Sequence, residues 1–293
     1  MAKGRELKGR IRSVENTRKI TRTMEMVATS KMKRAQDRVV AARPYANSLT
    51  EVIASLYSPE LAKEFPLLRQ PSAMKKAAVL LLTSNRGLAG GFNANLIKEG
   101  RNLLRRLDGE GTETLLRIVG KKGLGYFRYI GRPIESSRID FTDRPTAQNA
   151  TELVDDLIGQ FEKGEIDAVY VIYAKFISAL STPPTTVRIL PVTPPETRTD
   201  GKAGGLRHDY LLFPSAEAIL QQLLPLYVRN SVYRALVETA AAEQGARRTA
   251  MKNATDNAGD ILNVLRRTYN RARQAQITQE IAEIVGGSAT LEG

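Results

Sequence analysis

Residues able to do chemistry are few in this 293-residue chain. There is no cysteine, and the one histidine, His208, sits in a polar, glycine-rich stretch. Without cysteine there are no disulfides, thiol nucleophiles or thiolate-held zinc and iron–sulfur sites. A lone imidazole argues against histidine metal centres and a Ser-His-Asp relay. The loop Ser84-Asn85-Arg86-Gly87-Leu88-Ala89-Gly90-Gly91-Phe92-Asn93 follows an apolar run and opens a helical segment, the place where α/β folds hold phosphates. It is not G-x-G-x-x-G, however, and it lacks the Gly-Lys-Ser/Thr ending of a Walker loop. Its glycines read as a tight turn with close strand–helix packing. Gly120-Lys121-Lys122-Gly123 could touch an anion, but it reads first as an ordinary surface helix start. Glu152, Asp155, Asp156 and Glu162 read as the solvent face of one helix. No carboxylate pair in the middle of the chain has a spacing that specifies acid–base work. No catalytic, cofactor-binding or metal-binding residue is therefore assigned.

Charge says more. The net charge is +13, and Met1–Arg43 alone carries thirteen Lys/Arg against Glu6, Glu15, Glu25 and Asp37. Such a balance calls for an acidic partner: nucleic acid, an anionic membrane face or an acidic protein surface. The basic stretch has interspersed acids and no interleaved aromatics, which weighs against nucleic acid. No apolar run reaches the ~18–20 residues that span a bilayer, and the first residues lack a secretory apolar core. A cytosolic product that attaches to something at a membrane is expected.

Two long helix-compatible ends must position whatever this chain presents. From about Glu6 to Leu56, the residues Leu7, Ile11, Val14, Thr21, Ala28, Met32, Ala35, Val39, Ala42, Ala46, Leu49, Ile53 and Leu56 recur on four- and three-residue or heptad steps, a coiled-coil seam. Arg18 and Glu25 interrupt it with charge. From about Ser215, a plausible N-cap, to Val285, a second seam runs through Met251, Thr255, Ala258, Leu262, Leu265, Tyr269 and Ala272. A phase shift then brings Ile277, Ile281 and Ile284 onto the stripe. Abundant alanine suits a close antiparallel pair. Pro44 and Pro225 predict a kink or break, and Gly286-Gly287 a helix end.

The middle alternates. Strands are predicted at Ala77–Thr83, Leu115–Val119, Pro133–Arg138, Ala168–Ala174 and Val187–Val192, and helices at Asn95–Leu107, Lys122–Ile130 and Thr146–Glu162. This alternation implies a parallel-type sheet with crossovers. Pro194–Gly205 reads as a linker. The fold expected is α/β: a long antiparallel coiled coil of residues 1–57 and 210–287, with a central Rossmann-like α/β domain at 75–195.

Ile20–Met32 (I-T-R-T-M-E-M-V-A-T-S-K-M) followed by Arg43–Ala46 (R-P-Y-A) closely resembles the N-terminal helix of the ATP synthase gamma subunit family. Ala241–Ala258, Tyr269–Gly287 and the strand–loop Thr83–Asn93 resemble the same family, so the likeness covers essentially the whole chain in order. Departures are Asn85 where Asp is common, Ala89 where Cys is frequent and Ser288 where Ala is usual. The cysteine-bearing segment of chloroplast forms is missing, as is a transit peptide, so the resemblance is to a bacterial form.

That resemblance implies a central rotor shaft, one copy per complex, with no catalytic site or cofactor of its own. It implies a hexamer of alpha and beta subunits around the coiled coil, the epsilon subunit and membrane c ring at the α/β foot, and a peripheral place on the cytoplasmic face of the bacterial cell membrane. It implies no nucleic acid and no homo-oligomer. One charge crossing 100 mV yields only ~2.3 kcal/mol, so several ion steps must be transmitted per ATP through a shaft that does not unwind. The same resemblance puts beta-subunit contacts at Met24, Glu25, Arg273 and Gln274, with Glu25 able to pair with a base on the last helix. It makes Ile277, Ile281, Ile284 and Val285 an apolar bearing tip. The alternative carried alongside is a basic coiled-coil nucleic-acid-binding protein.

Overall fold

The computed structural model describes residues 2–56, 65–71, 73–141, 144–178, 181–193 and 215–291, with side chains from 5 to 284. His208 and the Pro194–Gly205 segment lie outside the described residues. The elements in order are α1 (Ala2–Leu56), a 3₁₀ turn (Pro66–Leu68), β1 (Lys76–Leu82), α2 (Phe92–Gly109), β2 (Glu113–Val119), α3 (Lys121–Tyr129), β3 (Ser136–Arg138), α4 (Ala147–Glu162), β4 (Ala168–Ala174), β5 (Pro184–Leu190) and α5 (Ala216–Leu291).

By contacts the chain forms two compact units, Thr29–Ala246 and the pair Met1–Ala28 with Arg247–Gly293. The first holds a five-stranded sheet of order β3-β2-β1-β4-β5. β1, β2, β3 and β4 run parallel, and β5 runs antiparallel to β4 with a register shift at Val169/Tyr170. The parallel expectation therefore holds for four strands and fails for the fifth. Only Ser178–Ser181 and short flanks separate β4 from β5, too little chain for the dozen or more residues of a parallel crossover. β3 is also shorter than expected, starting at Ser136 instead of Pro133, whose ring nitrogen has no hydrogen to donate to a ladder.

β1 is covered on both faces, which is why its sequence is continuously apolar. Ala78, Leu80 and Leu82 pack with Leu153, Val154, Leu157 and Phe161 of α4, Ile53 of α1, and Leu224, Val228 and Val232 of α5. Ala77, Val79 and Leu81 face Leu96, Leu103 and Leu107 of α2 and Phe127 of α3, in a cluster that also takes in Met32, Ala35 and Val39 of α1. α4 starts on a capping box, with Thr146 and Asn149 satisfying each other's backbone N–H. Arg117, buried in β2, donates to Glu135 at 2.6 Å and to Asp156 at 2.5 Å. Burial works to lower its pKa, and the two carboxylates overcome that and raise it.

Both prolines of the long helices are absorbed without interrupting α1 or α5. A single lost N–H is outweighed where many apolar side chains anchor the flanking turns. Ser215 caps α5 as expected, accepting from the Ala218 N–H at 3.2 Å. Gly286-Gly287 do not end it: the helix runs on to Leu291. A glycine costs a helix only ~1 kcal/mol, so it permits an end without enforcing one. From Ala235 to Gly245 every residue of α5 is buried. Small side chains there let several elements approach one helix on all sides.

Candidate functional site

The glycine loop after β1 is engaged by the protein itself. The Ser84 N–H donates to Asn93 Oδ1 at 3.0 Å, and the Ser84 hydroxyl donates to the Arg86 carbonyl at 2.7 Å. Asn85 Nδ2 donates to the carbonyls of Ile139 and Phe141. The first N–H groups of α3, which in a phosphate site would face the ligand, are taken by Asn85 Oδ1, the Ser84 carbonyl and Thr83 Oγ1. Gly120 holds a φ of +100°, and a Cβ there would come within 2.2 Å of the Thr83 carbonyl oxygen. Gly120 and Gly123 thus close a joint between the ends of β1 and β2, while in the loop after β1 Gly90 takes the positive φ of a tight turn.

The other unit offers a different surface. Its helix segments run antiparallel, with Thr21 opposite Thr255, Arg18 against Gly259 and Glu15 bonded to Arg266. The Thr255 hydroxyl meets Thr21 Oγ1 at 2.8 Å in the seam, and Arg266 reaches Glu15 at 2.6 Å. Thr21, Ala28, Met251, Thr255, Ala258 and Leu262 are the buried residues of the seam. Arg18 is not buried despite its seam position. A Cβ placed on Gly259 would touch its guanidinium at 3.8 Å, so the glycine backbone provides the bed on which the arginine leaves the seam. Glu25 is half-buried and lies 3.7 Å from Arg22 one turn earlier.

The residues singled out from the resemblance do not form one cluster. Met24 and Glu25 are half-buried on α1, whereas Arg273 and Gln274 are exposed on α5. Along the observed register Met24 falls near residue 253, so the two pairs are separated by about 20 residues, or ~30 Å of helix. Counting back the same way, Ala2 of α1 comes level with roughly residue 275 of α5. Beyond Gln276, every residue to Ile284 is exposed. Ile277, Ile281 and Ile284 are 45, 55 and 71% exposed. The backbone of Val285 continues the helix, and its side chain lies outside the described residues.

A further apolar set escaped the seam reading. Ile20, Met26 and Val27 on α1, and Ile261 and Val264 on α5, point outward and are at least half exposed. Their signal in the sequence was that they are large and apolar yet off the four-three stripe. They are apolar surface that the helical pair itself does not cover.

Comparison with known proteins finds relatives along essentially the whole chain. A family model described as ATP synthase matches residues 3–291. The chain is 64% identical over 293 residues, all of both chains, to the ATP synthase gamma chain of Gemmatimonas aurantiaca. It is 43% identical over 291 residues to that of Frankia casuarinae, covering 98% of this chain and 97% of the relative. Among solved structures, the Tetrahymena thermophila mitochondrial ATP synthase central stalk and c ring contains a chain with TM-score 0.61 at 26% identity, covering 80% of this chain and 99% of that one. A chain of the Euglena gracilis mitochondrial ATP synthase shares the fold, with TM-score 0.68 at 19% identity over 99% of this chain and 95% of that one.

Proposed function

This chain belongs to the ATP synthase gamma-chain family, and from that premise we propose how its two units divide the work of a rotor. It is the non-catalytic central-stalk subunit of the rotary ATP synthase, and it couples rotation of the membrane c ring to conformational change at the catalytic beta subunits. Its partners are the alpha and beta subunits around the helical pair and the c ring below, with epsilon at the α/β part. No described helix is long and apolar enough to cross a membrane, in keeping with peripheral attachment. The bacterial relatives support a reading in which that attachment is at the cytoplasmic face of the cell membrane. Functionally we divide the chain into the N-terminal helix α1, an α/β part at 75–195 and the C-terminal helix α5.

The observation that carries the coupling role is the helical pair with one buried seam and an outward apolar set ending in three exposed isoleucines. Apolar contact is non-directional, so a ring of such contacts holds a turning helix without fixing its angle. Met24–Glu25 and Arg273-Gln274 act on beta subunits at two levels, the charged residues setting angular preference by complementarity. The nucleic-acid alternative has no support from these relatives.

Native purification from membranes tests the role: the chain should co-purify with matching alpha and beta subunits, and its absence from that complex would overturn it. Replacing Arg273 and Gln274 together by Ala should lower coupled ATP synthesis while leaving assembly intact. Unchanged coupling removes them from the contact set.

A further inference from the structure

A cavity of about 570 Å³ opens in the sheet unit at the carboxyl ends of β1 and β2, a size typical of small-ligand pockets. Its wall carries six cations: Lys31, Arg34 and Arg38 from successive turns of α1, Arg86 from the loop after β1, Lys121 at the start of α3 and Arg144 ahead of α4. Two carboxylates oppose them. Asp140 is already held by Arg138 at 2.7 Å, and Glu243 is buried on α5 with its own partner. Among the described residues, Arg34, Arg38, Arg86 and Lys121 have no ion pair with a carboxylate.

The second observation is Thr239, which lines the same cavity, is only 7% exposed, and whose hydroxyl is buried with no hydrogen-bond partner. Elsewhere the long helices return such hydroxyls to the backbone: Thr17, Thr23, Thr50, Thr255 and Thr268 each donate to the carbonyl four residues back. A buried hydroxyl left unpaired is costly, and here it stands beside a surplus of positive charge.

We propose that this cavity binds a compact oligophosphate, inorganic pyrophosphate or the di- or triphosphate tail of a nucleotide, held by the side chains of Arg34, Arg38, Arg86 and Lys121 with the Thr239 hydroxyl donating from the wall. Four uncompensated cations around one cavity exceed what a single phosphate needs. The N–H groups at the start of α3 are spent on Asn85, Ser84 and Thr83, so side chains, and not a backbone cradle, do the holding. None of these residues belongs to the coupling set proposed for the helical pair, and all of them lie within Thr29–Ala246.

The test is isothermal titration of the full-length chain at 0.15 M salt with pyrophosphate, ATP, ADP and adenosine, in the wild type and in variants shown to be folded by circular dichroism. Saturable one-site binding of pyrophosphate or of the nucleotides, and none of adenosine, is expected. Equal affinity for pyrophosphate and ATP makes the phosphate tail the ligand, and tighter ATP binding adds the apolar wall; both support the site. R34Q/R38Q should weaken binding roughly a hundredfold and Thr239→Val roughly tenfold, as for lost hydrogen bonds to a charged group. K98Q, a charge lost on exposed Lys98 of α2, should change nothing. Absence of saturable binding overturns the proposal, as does equal weakening by K98Q. Competition by poly-glutamate as effective as by pyrophosphate would also overturn it, in favour of a surface for an acidic polypeptide.

Discussion

In the sheet unit β1 is enclosed on both faces, and its neighbours reach it from α1, α2, α3, α4 and α5. In the helical pair only one stripe of each helix is buried, and Ile20, Met26, Val27, Ile261 and Val264 face outward. The first unit satisfies its own apolar surface and is built to hold a geometry. The second does not, and its surface is completed by something outside the chain. A rotor needs both behaviours, a body that does not deform and a shaft that presents itself to a sleeve, and the chain separates them.

Breaking the enclosed unit should have the largest effect. Gly120→Ala forces a side chain into a glycine-only backbone region, at a cost of up to about 3 kcal/mol, and drives its Cβ to 2.2 Å from the Thr83 carbonyl oxygen. The expected outcome is loss of the cooperative thermal transition. Gly125, inside α3, is the control, because a Cβ added there would meet nothing within 4 Å. Gly125→Ala should be neutral or stabilising by about 0.5–1 kcal/mol, and parity between the two variants would refute the joint between β1 and β2.

Leu262→Ala sharpens the comparison from the other side. Leu262 is among the most buried residues of the helical pair, and its truncation should cost about 2–4 kcal/mol. With so thin a core the loss should stay local. Hydrogen exchange should speed up in residues 11–28 and 251–265 while the β1 and β4 amides keep their protection. Uniform deprotection would mean that the two units unfold as one.

How far the sequence disclosed this contrast depends on the element. The α1 seam is legible from Ala28 to Leu56, where each residue on the four-three stripe, save half-buried Ala42, is buried, and less so at Leu7, Ile11 and Val14, which are half-buried; a long helix has one period and few ways to hide it. β1 and β4 were legible as continuous apolar runs. The direction of β5 was not, since apolar content does not encode strand polarity and only the short β4–β5 connection does. The continuation of the helix through Gly286-Gly287 is not legible, because glycine permits a helix end without requiring one. The outward isoleucines and valines are hidden by the same periodicity that reveals the seam, because they lie off its stripe. The basic cavity draws on five elements distant in sequence, so only the fold assembles it.

A smaller effect appears with pH. The hydrogen bond and charge of Arg138 hold the Asp140 carboxyl down to about 2, and Arg132 lowers Asp108 in the same way. Both groups titrate lower in the folded state than in the unfolded one. Their contribution is therefore full above the ordinary carboxylate pKa near 4 and is lost as pH falls from there toward 2. Tyr173 works at the other end. Burial, then the nearby Glu238 charge, raises its pKa, so its neutral form stabilises the fold below pH ~10 and that support is lost above it. A thermal melt across pH should fall on both flanks. Arg138→Gln should flatten the acid flank, and an unaltered flank would exclude the Arg138–Asp140 pair as its cause.

The smallest effect on stability should come with the largest effect on function. Ile277, Ile281 and Ile284 are 45–71% exposed and belong to no buried cluster among the described residues. Their replacement by serine removes little buried area, so the melting temperature of the isolated chain should shift by no more than the few tenths of a kcal/mol usual for surface sites. Inside the complex the same three residues would meet an apolar collar, where each fully buried isoleucine is worth about 1.5–3 kcal/mol. The triple variant should therefore fold normally and assemble with alpha and beta subunits, yet give a complex whose shaft dissociates faster and whose rotation slips under load. Single-molecule rotation against a viscous drag reads that directly. A marked loss of stability in the isolated chain would instead show that the end of α5 is packed within the chain. Undiminished torque would show that the turning surface lies along the paired segment, at Ile20, Met26, Val27, Ile261 and Val264, and not at the single-helix end.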